Sequence, residues 1–411
     1  MTAILSQRLI DLARVMAIIA CVGLLYSPSV GTIGLIITYV AFLASGQAVS
    51  RFKAVFIRPS VYWGVAFLGV VFLGMLYASV SWHDRWTDFY QWRTILWFIV
   101  TLAIFDEDCW KERLLAMFLV GTAVAVVGSF LSAAGWITFR RGPHELLRNS
   151  GTQGMAFASA ALICFWFARE KKNLGLIPWA WSLLGLFYAL NIIFITNSRS
   201  GYAVLWCGLA VVLLWQASRG QMVLVVLGLF LSIGLSYAVS PRMQGIVDVG
   251  VEQWMSTDQS KHLTNFGSRR VFYQNSIEVL ENHWILGVGT GGFAQAYGEH
   301  VLKKYDATDW RTIQTTDPHN QYLSIAIQQG AGGVAIFLMW IIAIARERKS
   351  RRDYHRLAIA ILAGWCVTSL FSSHFRTFAE GHLLATFLGV LLAVELPSVA
   401  PRPDAVISRE A

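Results

Sequence analysis

The sequence predicts an all-α polytopic membrane protein, and three observations lead to this fold class. Of the 411 residues, 56% are hydrophobic and only 14% are charged, and the mean hydropathy is +0.54. A soluble protein carries about a quarter charged residues. The apolar runs are long and unbroken, whereas the strands of a membrane barrel alternate over about ten residues. Finally, 17 Trp and 13 Tyr fit aromatic belts at two membrane interfaces.

Apolar runs of about 17–25 residues predict roughly twelve transmembrane helices in a single integral membrane domain, residues 1–411. The approximate limits are 9–26, 30–49, 60–80, 91–105, 114–136, 152–168, 176–196, 201–217, 221–239, 320–345, 356–373 and 380–397. One large loop, residues 240–319, separates the ninth predicted span from the tenth.

The charge of the short loops predicts the orientation, because cytoplasmic loops are rich in Lys and Arg. Residues 346–352 read Arg-Glu-Arg-Lys-Ser-Arg-Arg, and the alternate loops are basic as well. Both termini are therefore expected in the cytoplasm, and the loop 240–319 in the periplasm. The net charge of +9 is spread over these loops, so it does not call for a nucleic-acid partner. No pair of the five cysteines has the spacing of a disulfide or a zinc site.

The predicted periplasmic side carries arginines that the positive-inside tendency does not explain. They are Arg140, Arg141 and Arg148 after the fifth span, Arg199 between the seventh and eighth, and Arg376 between the eleventh and twelfth. An arginine near the hydrocarbon boundary usually has an anionic partner. The alternative is that each side chain extends to lipid headgroups, which is a weaker explanation for five arginines together.

The long loop contains a predicted amphipathic helix that begins at Ser268-Arg269-Arg270. Its apolar face is formed by Phe272, Tyr273, Ser276, Ile277, Leu280 and Trp284 at three- and four-residue spacing. A glycine turn, residues 287–292, follows, and then a second helix at about 293–305. The turn contains GxGxxG, but it follows a helix rather than a strand. A chain reversal is therefore preferred to a dinucleotide site.

A polar segment, residues 315–323 (Thr-Thr-Asp-Pro-His-Asn-Gln-Tyr-Leu), precedes a long apolar helix. Asp317 suits the N-cap and Pro318 the first helical position, which places His319 in the first turn. The electropositive helix N-terminus would keep the imidazole neutral. A neutral histidine can serve as a general base. The alternative is that His319 only anchors the helix at the interface.

A metal-independent site is favoured over a metal site. The Asp106-Glu107-Asp108 run has the spacing of a metal-binding D-x-D motif, but it lies on the predicted cytoplasmic side and is best interpreted as a solvated turn. No HExxH motif is present in the sequence. The remaining set, one histidine and several arginines, suits a diphosphate leaving group, because guanidinium pairs with phosphate oxygens and can replace Mg²⁺ there.

Four patches, in this order along the chain, resemble the O-antigen ligase (WaaL) superfamily, which includes the O-antigen polymerases (Wzy_C-like). The patches are Arg148–Thr152 (the weakest), Thr196–Gly201, Gly267–Arg269 with Tyr273 and Gly287–Gly289, and His319–Leu323 with Gly330. With the plan of twelve spans, the resemblance covers nearly the whole chain.

The resemblance implies a GT-C-like architecture and a glycan transfer in lipopolysaccharide biosynthesis. The donor would be a glycan on undecaprenyl diphosphate, and the acceptor of a ligase would be lipid A–core oligosaccharide. The implied catalytic residues are His319, Arg199 and Arg269. The candidate diphosphate-binding residues are Arg199, Arg269, Arg148, Arg140, Arg141, Arg270 and Arg376. No metal or other cofactor, and no nucleic acid, is expected, and the remaining partners are membrane lipids.

The expected location is the bacterial inner membrane, with the active site on the periplasmic face. One alternative is an O-antigen polymerase, whose acceptor is another undecaprenyl-linked chain. A second, from another class, is a transporter or flippase of lipid-linked sugar. Such a protein needs ionisable residues near the middle of the membrane and access from both faces, whereas the predicted spans carry almost none at their centres. The short segment after the last predicted span argues against the longer protein-glycosylating relatives.

Overall fold

The structure is a computed structural model that describes residues 2–139, 142–170, 177–255, 265–347 and 351–395. Over these residues the chain forms α-helices, one 3-10 turn at Trp310–Thr312, and no strand. The helices are α1 (Ala3–Tyr26), α2 (Pro28–Ala44), α3 (Ala48–Phe56), α4 (Pro59–Tyr77), α5 (Trp82–Gln91), α6 (Thr94–Ile104), α7 (Asp108–Ala133), α8 (Ser150–Glu170), α9 (Pro178–Phe194), α10 (Arg199–Leu214), α11 (Arg219–Val239), α12 (Pro241–Met255), α13 (Asn265–Glu281), α14 (Phe293–Lys304), α15 (Gln321–Ala345), α16 (Arg352–Thr368) and α17 (Phe378–Leu392).

Each of the predicted spans coincides with a helix, but the helices differ in length. Six of those described, namely α1, α4, α7, α8, α11 and α15, are long and apolar enough to cross a membrane, and the bent pair α2 and α3 brings the number to seven if it forms one span. Three more, α9, α10 and α17, are apolar but shorter. The all-helical class and the polytopic membrane character are confirmed. The number of twelve spans and the periplasmic placement of the loop 240–319 stay predictions.

The second predicted span, 30–49, is interrupted. α2 and α3 meet at an angle of 101°, and Gly46 between them has φ +72°, a left-handed conformation that favours glycine. Ser45 stabilises the corner, since its hydroxyl donates to Phe42 O at 2.6 Å and accepts from Gln47 N at 3.1 Å. The bend coincides with Ser45-Gly46-Gln47, which interrupts the apolar run.

The centre of the bundle is formed by helices that are apolar on every side. In α6 all residues except Leu96 are buried, and in α17 residues 379–392 are buried. Trp97 Nε1 on α6 donates to Thr386 Oγ1 on α17 at 2.7 Å, which satisfies two polar atoms inside this core. α11 is mostly exposed, in contrast to α6 and α17, because only 6% of its apolar stretch is buried. A helix that exposes so much apolar surface is suited to contact with lipid.

Several of the segments that the charge pattern assigns to the cytoplasm are joined by ion pairs at one end of the helices. Asp106 contacts Arg14 Nη2 at 2.6 Å and Arg51 Nη1 at 3.0 Å, and Arg58 Nε lies 3.2 Å from Glu347 Oε2. The Asp106 side chain is only 10% exposed, so the interpretation of this acidic run as a solvated turn is wrong for Asp106. Which compartment this end faces stays a prediction.

α15 is broken at Gly330, where the glycine turn docks. Gly330 has φ +65° and ψ −169°, a conformation that is essentially restricted to glycine. Val288 N donates to Ile327 O at 2.8 Å, and Gly289 N donates to Gln328 O at 3.0 Å. The turn thus donates hydrogen bonds to carbonyl groups that lack their usual helical partners because the helix is interrupted.

The glycine turn reverses the chain between α13 and α14, as predicted, and it is wedged between α4 and α15. Thr290 N donates to Gly74 O on α4 at 3.1 Å, and its hydroxyl donates to Val71 O at 2.6 Å. A Cβ atom on Gly289 would lie 2.6 Å from Ala78 Cα. This close packing fixes the position of α13, which leads directly into the turn.

We expect Gly330→Ala to destabilise the protein by about 1–3 kcal/mol or more, because alanine is strained in this conformation. Its Cβ would also lie 2.1 Å from Ile285 O, which adds a steric clash. Thermal unfolding of the detergent-solubilised protein measures the effect. Gly332→Ala is the matched control in the same helix, since a Cβ there meets no atom within 4 Å. Equal unfolding temperatures for the two variants would contradict the proposed role of the break.

Candidate functional site

Four segments converge at the end of the helices opposite to the ion-paired loops. They are the start of α10, the first turns of α13, residues 315–320 before α15, and residues 369–376 between α16 and α17. α5, from the loop after α4, contributes a fifth element. The segments come from distant parts of the chain, yet three of them carry the arginine and histidine motifs identified in the sequence.

His319 lies outside α15, contrary to the prediction that it occupies the first turn. The N-cap is Asn320, whose side chain accepts from Leu323 N at 3.1 Å, and the helix begins at Gln321. His319 has φ +58°, a left-handed conformation that is uncommon for a residue other than glycine. Asp317 does not cap the helix. Its Oδ1 accepts from the His319 backbone N–H at 2.8 Å and so stabilises this turn.

Two aromatic residues of α13 hold His319 from the other side. The Tyr273 hydroxyl lies 3.0 Å from His319 O and 2.9 Å from Leu370 O, so it ties α13 to two of the converging segments. The Phe272 ring lies nearly parallel to the imidazole, with centroids 6.1 Å apart. Among the residues that the structure describes, none forms a hydrogen bond with the imidazole nitrogens, so these nitrogens are available to a substrate.

The environment of His319 favours the neutral imidazole. Burial lowers the pKa of His319, and the positive charge of Arg269 lowers this pKa further, whereas Asp317 opposes both effects. The neutral state predicted from the sequence is therefore supported, but the cause is different. Burial is the main contribution, and the helix N-terminus that the sequence suggested begins only after His319.

The three residues predicted to be catalytic lie on segments that contact one another. Arg199 is the first residue of α10 and is exposed, and its N-cap Ser198 accepts from Gly201 N at 3.0 Å. Arg269 Nη1 donates to Phe371 O at 2.9 Å. The charge of Arg269 acts on both Arg199 and His319.

The weakest of the four sequence patches leads into the part of α8 that packs against the start of α10. A Cβ on Gly201 would lie 2.8 Å from Gly154 Cα, so α8 and α10 approach as closely as two glycines allow. Within the patch, the Thr152 hydroxyl donates to Glu380 of α17. Arg148 is exposed, with its guanidinium carbon 5.7 Å from the centroid of the Phe378 ring. Both of these patch residues therefore contact α17, and Gly154, two residues after the patch, contacts the helix that carries Arg199.

The other predicted diphosphate-binding arginines occupy different positions. Arg140 and Arg141 lie outside the described residues. Arg270 adjoins Arg269 in α13 and is half-buried. Arg376 is buried, and its Nη1 and Nη2 lie 2.6 Å from Asp88 Oδ1 and 3.4 Å from Asp317 Oδ2. Arg376 thus has two carboxylate partners in the position where the sequence suggested a substrate diphosphate.

Three polar residues of the site were not identified from the sequence as functional candidates. Asp88 comes from α5, and Ser373 and His374 precede Arg376. The Ser373 hydroxyl donates to Asp317 Oδ1 at 2.9 Å, and His374 Nε2 lies 3.1 Å from Ser200 Oγ. Burial lowers the pKa of His374. The proximity of Ser373 and His374 to Arg376 was a possible signal, whereas no spacing distinguishes Asp88 from its neighbours.

The positive charge of this site suits an anionic ligand. The site also contains a side chain that can accept a proton. Arg199 and Arg269 supply positive charge, and His319 supplies a neutral imidazole. Within the described ranges, no three His, Cys, Asp or Glu side chains are grouped so that they could hold a metal ion.

Comparison with known proteins gives one family. Residues 184–338 match the Wzy_C family, described as O-antigen ligase. This segment is therefore similar to the O-antigen ligases. It extends from α9 into α15, so it includes Arg199, Arg269 and His319. Members of the O-antigen ligase family are glycosyltransferase-like enzymes, and the membrane-protein character fits them. No curated protein matches the chain.

We expect the pKa of His319 to lie below its ordinary value of about 6.5, so that the imidazole stays neutral as the pH falls through that value. The rate of carbethoxylation of His319, followed against pH by peptide mass spectrometry of the folded protein, measures this pKa. Arg269→Gln should raise the pKa, because the loss of a positive charge favours imidazolium. Arg270→Gln is the matched control and should leave the pKa nearly unchanged. A midpoint above about 6.5 in the unmodified protein would contradict this expectation.

Proposed function

We propose that the protein is an O-antigen ligase that transfers O-antigen glycan from undecaprenyl diphosphate to a sugar hydroxyl of lipid A–core, in lipopolysaccharide biosynthesis. The observation that carries this proposal is the contact between the segments on which His319, Arg199 and Arg269 lie. The family match supports a glycan-transferring enzyme, and the choice of ligase is the narrower step. The site would face the periplasm at the inner membrane, with both termini in the cytoplasm.

The proposed reaction is a single inverting displacement with His319 as the base. The acceptor hydroxyl gives its proton to a ring nitrogen of His319, and its oxygen forms a bond to the anomeric carbon of the donor sugar. The bond between this carbon and the diphosphate oxygen breaks, and the electron pair leaves with undecaprenyl diphosphate. The lowered pKa of His319 keeps the ring available as a proton acceptor near neutral pH.

Arg199 and Arg269 are proposed to stabilise the leaving diphosphate. A guanidinium group has five N–H donors, and Arg269 uses one of its terminal nitrogens to bond Phe371 O. The positive charges of Arg199 and Arg269 repel each other, and a bound diphosphate would turn this repulsion into attraction. The two arginines would thus take the electrostatic role that Mg²⁺ plays in metal-dependent enzymes, so we propose a metal-independent reaction without a cofactor.

Further diphosphate contacts are proposed for Arg148, Arg140, Arg141 and Arg270. Arg148 has the strongest structural support, because it is exposed beside Phe378, on the segment that follows Arg376. Arg270 is the immediate neighbour of Arg269. For Arg140 and Arg141 the support is their sequence position before Arg148.

We expect purified protein, reconstituted with lipid-linked O-antigen and lipid A–core, to form glycosylated lipid A–core in the presence of EDTA. Loss of transfer in EDTA with rescue by Mg²⁺ would contradict the arginine-only mechanism. A longer glycan on undecaprenyl diphosphate would identify a polymerase, and movement of the donor across the bilayer without transfer would identify a flippase. Gene deletion gives an independent readout: loss of a ligase leaves bare core, whereas loss of a polymerase leaves core with a single repeat.

We expect His319→Ala to lower kcat by about 10²–10⁴-fold, the typical contribution of a general base. The KM for the donor should change little, because the arginines remain. His300→Ala is a matched control from the same predicted loop, since His300 pairs with Glu278 at 2.8 Å between α13 and α14. Transfer by His319→Ala within about threefold of the control would remove His319 from the role of base.

A further inference from the structure

We propose that Asp88, Arg376 and Asp317 form a charge chain, centred on the buried Arg376, that holds His319 in its reactive position. Asp88 and Arg376 are then positioning residues for the glycan transfer, and Arg376 is not a ligand of the diphosphate. This inference rests on the proposed role of His319 as the base. It assigns a function to Asp88, for which the sequence offered none, and it replaces the role that the sequence suggested for Arg376.

The first link of the chain joins three separate elements through Arg376. Its Nη1 lies 2.6 Å from Asp88 Oδ1 on α5, and its Nη2 lies 3.4 Å from Asp317 Oδ2 before α15. The Arg376 side chain is only 4% exposed. Both terminal nitrogens therefore contact protein carboxylates in a buried position, which leaves this guanidinium poorly placed for a substrate.

The second link runs from Asp317 to His319. One carboxylate oxygen of Asp317 faces Arg376, and the other accepts from the His319 backbone N–H at 2.8 Å and from the Ser373 hydroxyl at 2.9 Å. The left-handed backbone of His319 is unfavourable for a residue with a side chain. The hydrogen bond that Asp317 accepts from the His319 N–H stabilises this backbone directly, and the backbone conformation determines where the imidazole points.

Gln328 of α15 lies between the charge chain and the glycine turn. Burial raises the pKa of the Asp88 carboxyl, and the Gln328 side chain lies close enough to counteract this shift. The Gln328 side-chain oxygen accepts from Gly291 N at 2.7 Å, and its backbone oxygen accepts from Gly289 N at 3.0 Å. Gln328 is thus hydrogen-bonded to the glycine turn and lies near the Asp88 end of the charge chain.

The composition of the chain favours positioning over simple stabilisation. A buried ion pair can often be replaced by apolar residues without loss of stability, because desolvation offsets much of the attraction. Arg376 Nε is buried, and no residue in the described ranges forms a hydrogen bond with it. A network optimised for stability alone would satisfy this atom. The charged contacts instead fix positions, because each contact holds one atom of the next residue, from Asp88 to the backbone N–H of His319.

The first test uses Asp88→Asn, with Asp84→Asn as the matched control on the same helix. We expect Asp88→Asn to lower kcat about tenfold or more, because small displacements of a catalytic group are costly. The donor KM should stay within about threefold, since Arg199 and Arg269 are unchanged. Arg376→Lys should behave like Asp88→Asn. A raised donor KM with unchanged kcat in Arg376→Lys would instead assign Arg376 to the diphosphate and overturn the proposal.

A milder variant keeps the test decisive if Asp88→Asn does not fold. Ser373→Ala removes one hydrogen bond to Asp317 and no charge, so it should fold and lower kcat by about threefold or more at unchanged donor KM. The proposal is wrong if Ser373→Ala and a folded Asp88→Asn both have the kcat of the unmodified protein. If Asp88→Asn does not fold, an unchanged kcat in Ser373→Ala alone has the same meaning.

A second readout separates this inference from the proposed function. The rate of carbethoxylation of His319 against pH does not depend on glycan transfer. In Asp88→Asn, Arg376 loses one of its two carboxylates and neutralises Asp317 more fully, so the pKa of His319 should fall; unfolding would move it towards its ordinary value. If His319→Ala transfers glycan normally, the base role fails, yet this shift still tests the chain. An unchanged pH midpoint in Asp88→Asn overturns the chain itself.

Discussion

The break in α15 at Gly330 is the constraint on which the arrangement of the site depends. A buried backbone group without a partner costs about 1–3 kcal/mol, and residues 327–330 at the break are buried. The glycine turn bonds two carbonyls of the broken helix, and on the other side of the break Ala331 N donates to Trp284 O at 2.8 Å. α13 and α15 are therefore coupled through their backbones. Because α13 carries Arg269 and α15 is preceded by His319, this coupling determines where the two side chains meet.

His319 has to satisfy two requirements that conflict. A carboxylate next to the ring orients it, but a negative charge also favours imidazolium, which cannot act as a base. Asp317 bonds the His319 backbone, and its charge raises the pKa of His319. Arg376 shares the charge of Asp317 and so limits this effect. Burial and Arg269 then decide the protonation state. The Arg376–Asp317 ion pair thus allows the Asp317 carboxylate to hold His319 in position without making the imidazolium form dominant.

The sequence was a good guide to helices and motifs and a poor guide to backbone conformation. Long apolar runs predicted a helix at each expected span, and the motif spacing selected Arg199, Arg269 and His319. The Asp317-Pro318 pair looked like a helix start, but Ser373 and Arg376 engage the Asp317 carboxylate, and the helix begins later, at Gln321. Such partners lie far away in the sequence, so no local pattern reveals them. The helix break at Gly330 could not be predicted either, because glycine is common in membrane helices and does not by itself indicate a break.

The arginines also show what the positive-inside tendency can and cannot decide. An arginine on the predicted periplasmic side needs a negative partner, and that physical argument holds for Arg376, although its partners are Asp88 and Asp317 rather than a substrate. Arg58 at the opposite end is neutralised by Glu347 in the same way. Arg199 differs from these two arginines in that the positive charge of Arg269 acts on it. Two like charges near each other repel, and an anion that bridges them would offset this repulsion. The diphosphate is therefore proposed to bind where two guanidinium charges act on each other, and not wherever an arginine occurs.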